Sequence, residues 1–377
     1  MTFSLKAQDK KARTGKITLS NGTVGTPTFM PVGTYGVVKG LTVENILTLG
    51  AEIILANTFH LWMRVGIERM HNFGGLHRFM SWNGPILTDS GGFQVWSLKK
   101  IAKLSKEGVM FRSPINGEKL LLTPEKSMEI QMALNSDIAM IFDDCTPWPV
   151  SHNDAEKSMK LSLNWAERSK HAFKGDGENK IFGIVQGSMY PDLRLESIRE
   201  LINIGFDGYA IGGLSVGEDK IHMRRIIEVI ASSLPRDSVR YLMGVGTPED
   251  LIHAVSEGVD IFDCVMPTRN ARNGLLFTRF GNLKIRNARF RNDINPIEEG
   301  CLCPVCCPQH HNLNRPFHSR AYIHHLQRIN EMLGSILATQ HNLWFYLTMM
   351  KEIRRAIEQK NFSEWAGCFI QKRTIGL

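Results

Sequence analysis

Eight short runs of β-branched and aliphatic residues recur along this chain with helix-patterned stretches between them, a rhythm that restricts it to βα units around a parallel sheet. The runs are Thr28 to Val32, Ile53 to Asn57, Ile86 to Asp89, Ile138 to Asp143, Ile181 to Gln186, Gly208 to Gly212, Arg240 to Gly244 and Asp260 to Cys264. Eight is the number that closes a barrel. Helices are predicted over Thr42 to Leu49, Thr123 to Leu134, Asn153 to Phe173, Pro191 to Ile204, Asp219 to Ser232 and Pro248 to Ser256. Several open on Thr-Pro or Tyr-Pro, where proline suits the first turn because its missing N–H has no helical partner to lose. The fold class is therefore α/β, a (β/α)8 TIM barrel. From Gly91 to Leu122 the rhythm fails, and Gly108 and Asn116-Gly117 predict an inserted hairpin.

Past Asn273-Gly274 the pattern changes again. Residues 275 to 319 hold short strands and the run Cys301-Leu302-Cys303-Pro304-Val305-Cys306-Cys307, which concentrates four of the seven cysteines. Residues 320 to 358 read as two long helices broken near Thr339 to His341. The domain expectation is a barrel over 1–274 with a hairpin near 91–122, an inserted zinc-binding subdomain over 275–345, and a C-terminal helix over 346–377 packing on the barrel. Zinc prefers thiolate sulfur and imidazole nitrogen in a closed tetrahedron, and Cys301, Cys303 and Cys306 can supply three corners from one tight turn. Cys307 competes for the third position. His310, His311, His318, His324, His325 and His341 are candidates for the fourth. Four protein ligands leave no open position, so one structural Zn2+ per chain is expected. A catalytic zinc would need a water site and a nearby acid that the sequence does not place.

Lys plus Arg exceed Asp plus Glu by 45 − 37 = 8, a balance that favours a polyanionic partner without demanding one. Residues 1–16 alternate polar and charged positions with no apolar stretch of leader length, and no segment has the length of a membrane span. An odd, clustered set of cysteines argues against a secreted disulfide framework. The expected compartment is the cytoplasm, with no membrane partner.

Candidate chemistry gathers at the strand ends, where a barrel assembles its site. Asp89, Asp143, Gln186, Gly213 and Asp263 all stand there. An acid after a strand often caps the next helix, which accounts for any one of these but poorly for five together. In Asp89-Ser90-Gly91-Gly92-Phe93-Gln94, two glycines let backbone approach a ligand and Phe93 offers a stacking face, although a tight turn explains the glycines equally well. Two carboxylates reaching one site from opposite sides is the arrangement of glycosidic chemistry. Asp263 is expected as the nucleophile and Asp89 as the proton carrier. Between Arg269 and Arg291 stand seven basic residues and no acidic one, interleaved with Phe277, Phe280 and Phe290, as on a surface that tracks phosphates.

Over nearly its whole length the chain resembles the bacterial tRNA-guanine transglycosylases. The resemblance rests on Asp89 to Gln94, Phe142-Asp143-Asp144-Cys145-Thr146-Pro147, Val185-Gln186-Gly187, Ile211-Gly212-Gly213-Leu214, Phe262-Asp263-Cys264, Thr268-Arg269-Asn270-Ala271-Arg272 and the cysteine knuckle. It implies exchange of guanine at the anticodon wobble position of tRNA for a 7-deazaguanine precursor of queuosine, through a covalent ribosyl-aspartyl intermediate. It gives Asp263 as nucleophile and Asp89 as proton acceptor, with Ser90, Gly91, Gly92, Phe93, Asp143, Gln186 and Gly213 binding the base. Gly244, Val245, Gly246, Thr247, Pro248, Glu249 and Asp250, together with Thr268, Arg269, Asn270, Ala271 and Arg272, match RNA-contacting loops. The implied zinc ligands are Cys301, Cys303, Cys306 and His341. A homodimer is implied as well, and Cys145 with Val216 implies a preference for the aminomethyl precursor over queuine. Three features depart from the family pattern: a longer connection from Cys307 to His318, Asp144 in place of Glu, and Trp148 in place of Tyr. A non-catalytic tRNA-binding subunit is a competing reading, opposed by retention of both Asp89 and Asp263. A sugar-cleaving barrel glycosidase is another, and it gives no reason for the basic segment or the knuckle.

Overall fold

In the computed structural model, which describes residues 1–92, 103–175 and 177–376, the eight predicted runs become eight parallel barrel strands. The first is Thr28–Met30 and Val32–Gly33, a single extended segment in two pieces because Pro31 has no N–H to donate. Its carbonyl still accepts from Leu55 N at 3.0 Å. The others follow in order: Ile54–Ala56, Ile86–Thr88, Ile138–Met140, Lys180–Val185, Gly208–Ile211, Val239–Leu242 and Ile261–Asp263. The last strand returns to the first through Ile261 opposite Thr28, Phe262 opposite Phe29 and Asp263 opposite Met30, which closes the ring. Six of the eight strands are wholly buried and the other two have one half-buried residue each, Lys180 and Asp263, as expected of parallel strands covered on both faces.

The helix starts follow local chemistry. Thr42, Thr123, Ser151, Asp219 and Thr247 each accept a backbone N–H in the first turn of the helix they open. Helices Pro191–Ile204 and Pro248–Ser256 match the predicted spans to the residue. The inserted hairpin is present as the antiparallel strands Lys103–Leu104, Val109–Arg112 and Lys119–Leu122.

Two features were not anticipated. Residues 2–26 form a three-stranded antiparallel sheet, Thr2–Asp9, Ala12–Leu19 and Gly22–Thr26. The polar alternation at the N-terminus is the period-2 signature of a half-exposed strand, with a left-handed Lys10 at the turn. Nor does a helix break occur at Thr339 to His341. Helix Arg320–Arg328 ends before Asn330, which is left-handed, and helix Met332–Glu358 then runs without interruption. Thr339, His341 and the following Asn342 are buried and partnered inside it, with Gln340 half-buried between them: Thr339 Oγ1 donates to Ser335 O at 2.7 Å, and Asn342 bonds Phe277 N, Pro267 O and Leu275 O, each at 3.0 Å.

The N-terminal sheet is fastened to the floor of the barrel by an ion pair out of water. Arg13 Nε donates to Asp260 Oδ1 at 2.9 Å, Arg13 Nη2 donates to Oδ2, and Arg240 N donates to Oδ2 at 2.7 Å. Asp260 has no exposed surface and Arg13 is 3% exposed. Removing one member strands a buried charge, so Asp260→Ala should lower unfolding free energy by about 3–5 kcal/mol. Urea denaturation followed by circular dichroism measures it, and a loss under about 1 kcal/mol would show that this pair does not anchor the sheet.

Candidate active site and metal centre

Because all eight strands run the same way, their carboxyl ends share one rim, and the polar residues singled out in the sequence stand on it. Asp89 follows the third strand and is held from two sides: Asn57 Nδ2 donates to Oδ2, and Thr58 N donates to Oδ1 at 2.8 Å. Thr58 Oγ1 also donates to the Asp89 carbonyl at 2.5 Å. Asp263 ends the eighth strand. Its Oδ1 accepts from Tyr241 Oη at 2.6 Å and from Gly244 N at 2.9 Å, whereas Oδ2 has no hydrogen-bond partner among the described residues. Burial raises the Asp263 carboxyl above the usual carboxylate range, and the Tyr241 and Gly244 donors pull it back. Burial likewise lifts the Tyr241 phenol far above its ordinary value, with the Asp263 and Asp89 charges adding to the effect. Both carboxylates thus act on one buried hydroxyl.

Next to them lies a third acid, held by an amide and a hydroxyl. Asp143 Oδ2 accepts from Gln186 Nε2 at 2.7 Å and Oδ1 accepts from Ser90 Oγ at 3.2 Å. Ser90 Oγ in turn accepts from Gly92 N at 3.1 Å. Burial is the main cause that pushes the Asp143 carboxyl up to about 6, opposed by Gln186 and Ser90 and reinforced by Asp144 and Asp89. Gly92 is required by close approach, since a Cβ there would lie 2.8 Å from the Asp143 carbonyl oxygen. The same holds for Gly213, left-handed at φ 62°, where a Cβ would fall 2.4 Å from Gln186 Oε1. Gly91 precedes this group on the same turn, also at positive φ. Phe93 lies outside the described residues.

The segments matched to RNA contact divide by burial. In Gly244 to Asp250, Gly244 N serves Asp263, Gly246 O accepts from Tyr346 Oη at 2.5 Å, and Thr247 and Pro248 start a helix. Val245 is buried, Glu249 pairs with Arg373 at 2.6 Å, and Asp250 pairs with Lys220 at 2.9 Å and Arg224 at 3.1 Å. In helix Met266–Arg272, Thr268 and Ala271 face inward, Arg269 is exposed, and Asn270 and Arg272 are half-buried. The one-signed basic run of the sequence is not one-signed in space, because Arg279 pairs with Glu352 and Glu298. Phe277 and Phe290 are core, while Phe280 is exposed.

Beyond the barrel, hairpin Leu275–Thr278 with Gly281–Lys284 and the knuckle share a second small apolar core that includes Leu276, Leu283, Phe290, Val305 and Ile323. Cys301, Cys303, Cys306 and His341 converge at its edge, their donor atoms all within 4.8 Å of one another. His341 Nδ1 lies 3.9, 3.5 and 3.7 Å from the three sulfurs in that order. A tetrahedron with zinc–sulfur and zinc–nitrogen bonds of ordinary length has sulfur–nitrogen edges of about 3.6 Å, so the four donors fit one such ion. The other ring nitrogen, Nε2, bonds the Phe277 carbonyl at 2.8 Å, which leaves Nδ1 as the lone-pair donor facing the sulfurs. The rival histidines are engaged elsewhere: His311 bonds Leu302 O at 2.8 Å, His324 bonds Ile285 O at 2.7 Å, and His318 stacks on Tyr322. Cys307 stays outside the cluster.

Fold and site together define an α/β-barrel enzyme with a carboxylate-lined mouth and an appendage whose Cys301, Cys303, Cys306 and His341 could hold one metal ion. The chain belongs to the queuine tRNA-ribosyltransferase family, whose pattern matches residues 8–375. The queuine tRNA-ribosyltransferase of Nitrosomonas eutropha is 60% identical over 366 residues, 97% of this chain and 99% of that protein. Those of Methylobacillus flagellatus (59% identical, covering 100% of this chain and 99% of that one) and Vibrio campbellii (55%, covering 99% and 97%) carry the same name. The family read from the seven motifs is the family found, and it makes the chain a transferase. No helix among the described residues is long and apolar enough to cross a membrane.

Sequence reasoning passed over the residues that hold these groups in place. Asn57 and Thr58 carried a signal, since a polar pair at the end of a predicted strand is what a rim residue looks like. Tyr241 carried none, and neither did Arg194, whose guanidinium donates to the Gly212 and Gly213 carbonyls. A metal assignment follows for direct measurement: Cys303→Ala should drop bound zinc from one per chain to near zero by elemental analysis, and chelation of the wild type should lower its melting temperature. Unchanged zinc content in Cys303→Ala would move the third sulfur to Cys307.

Proposed function

We propose that this chain exchanges guanine at the wobble position of a tRNA anticodon for a 7-deazaguanine, the aminomethyl precursor of queuosine, by way of a covalent ribosyl-aspartyl intermediate. The observation that carries the reading is the asymmetry of Asp263: one oxygen is held by two donors and the other has no hydrogen-bond partner among the described residues, while the Tyr241 hydroxyl that holds the first feels the Asp89 charge as well. Asp263 Oδ2 attacks C1′ of the inserted nucleotide, the glycosidic bond breaks, and guanine leaves with the bonding pair and takes up the proton carried by Asp89, which is left ionised. Asp89 then removes a proton from the incoming base, whose nitrogen attacks C1′ and frees Asp263. Asp143 and Gln186 supply the carboxylate and amide that a purine's ring N–H, amino and carbonyl groups require, and the Gly213 backbone adds a further contact. Ser90, Gly91 and Gly92 complete the base site; the family resemblance assigns Phe93 to it as well and rests the preference for the aminomethyl precursor on Cys145 and Val216.

The nucleotide must leave its stack to enter, which a loop substrate makes cheap. Arg269, Asn270 and Arg272, with the loop from Gly244 to Asp250, meet the anticodon loop. One zinc ion on Cys301, Cys303, Cys306 and His341 supplies structural cross-linking of the appendage when bound. A second copy of the chain belongs to the same reading, supported by large apolar side chains left exposed at Ile329 and Met332, 58% and 77% accessible.

Incubation with labelled guanine and unmodified tRNA tests the reaction: label enters tRNA, and its failure to do so with intact protein overturns the reading. Asp263→Asn should abolish incorporation while tRNA binding persists, and exchange at near wild-type rate would remove the nucleophile. The pH dependence has a definite sign. Asp263 must be ionised to attack, so kcat/KM falls as pH drops through a value above the ordinary carboxylate range. Tyr241→Phe deletes a donor that favours the ionised form, so the acid limb should move to higher pH. An unmoved limb would assign it to another group, such as Asp143.

A further inference from the structure

Arg194, in helix Pro191–Ile204, has no exposed surface and, among the described residues, no carboxylate in ion-pair contact. Its guanidinium is spent on backbone. Nε donates to Ser188 O at 2.7 Å, Nη1 to Gly212 O at 2.8 Å and to Val185 O at 3.1 Å, and Nη2 to Gly213 O at 3.2 Å. These four carbonyls belong to the ends of the fifth and sixth strands, the two that carry Gln186 and Gly213. Burial lowers the group to about 10, so it stays charged at neutral pH. A buried cation without a counter-ion is costly, and an apolar residue of similar volume usually serves stability as well or better. Its retention calls for a geometric reason.

Peptide planarity supplies one. In a trans peptide the C=O and the following N–H point in opposite directions across one rigid plane. Arg194 fixes the Gly212 carbonyl, so the Gly213 N–H is turned away from the guanidinium; it fixes the Gly213 carbonyl, so the Leu214 N–H is turned away too. Neither amide has an acceptor among the described residues. The Val185–Gln186 plane shows the rule at work: its carbonyl faces Arg194, and its N–H reaches the other way to Ser197 Oγ at 3.2 Å. Glycines at 212 and 213 leave these planes no side-chain lock, because a Cβ at either would collide with Gln186 at 2.9 Å or less. The orientation must come from outside the loop.

We infer that Arg194 is the positioning residue of the base site, clamping the Gly212–Gly213–Leu214 backbone so that its free amides face the purine edge. This rests on the proposed guanine exchange and adds to it the device that aims the backbone donors. Arg194→Met keeps the bulk and removes all donors; Arg194→Lys keeps the charge with donors from a single nitrogen, which cannot span four carbonyls. Guanine affinity by titration calorimetry, tRNA affinity by filter binding, and KM and kcat for exchange are measured on the full-length chain together with its melting temperature. The expected result is a loss of guanine affinity of about tenfold to a hundredfold in Arg194→Met. Arg194→Lys should fall between it and wild type, KM for the base should rise more than kcat falls, and tRNA affinity should hold within about twofold. Guanine binding at wild-type strength in either folded variant overturns the assignment. Parallel loss of guanine binding, tRNA binding and melting temperature overturns it too, as does failure of both variants to fold, because each makes the role structural. If the wild type itself binds no guanine, the proposed function fails first and this inference falls with it.

Discussion

Closure of the sheet is the constraint on which the site depends. Pairing of Ile261–Asp263 with Thr28–Met30 turns a parallel sheet into a ring, and in a ring of parallel strands every carboxyl end opens onto one rim. Asp89, Asp143, Gln186, Gly213 and Asp263 are far apart in sequence and become neighbours by that fact alone. Loss of solvation is what raises Asp143 and Asp263 above the ordinary carboxylate range, and at Asp143 the Asp144 and Asp89 charges add to it. The hydroxyl and amide donors around them limit that rise, and at Asp263 they hold one oxygen while the other has no partner among the described residues.

The eight strands and the capped helices were legible because each rests on a short-range rule: β-branched runs, a hydroxyl or carboxylate before the helix, proline at its first turn. The N-terminal sheet was missed although its alternation was seen, since alternation in a charged stretch reads as surface unless its partner strand is known. The break expected at Thr339 to His341 failed for a related reason. Polar residues in a helix suggest an end only when they face water, and Thr339, His341 and Asn342 are buried, the last two against the hairpin and the knuckle, a fact of tertiary packing. The same packing makes His341 the donor that meets the sulfurs, although His310 lies nearer in sequence.

Within the site, side chains that act through their own chemistry were readable, and those that act on backbone were not. An acid after a strand announces itself. Arg194 and Tyr241 sit in ordinary amphipathic and apolar contexts, and their partners, carbonyl oxygens in one case and a carboxylate from the neighbouring strand in the other, leave no trace in residue type. The basic run shows the opposite error: in one dimension Arg279 joined six like charges, and in three it faces Glu298 and Glu352.

Helix Met332–Glu358 belongs to both cores. It presents His341 to the three cysteines and, five residues later, Tyr346, whose hydroxyl holds the Gly246 carbonyl and whose ring lies 4.9 Å from Phe29 in the first strand. Five residues of helix measure about 7.5 Å. A single stiff rod therefore links the cysteine cluster to the loop whose Gly244 amide grips Asp263, so that the appendage and the rim keep a common frame of reference.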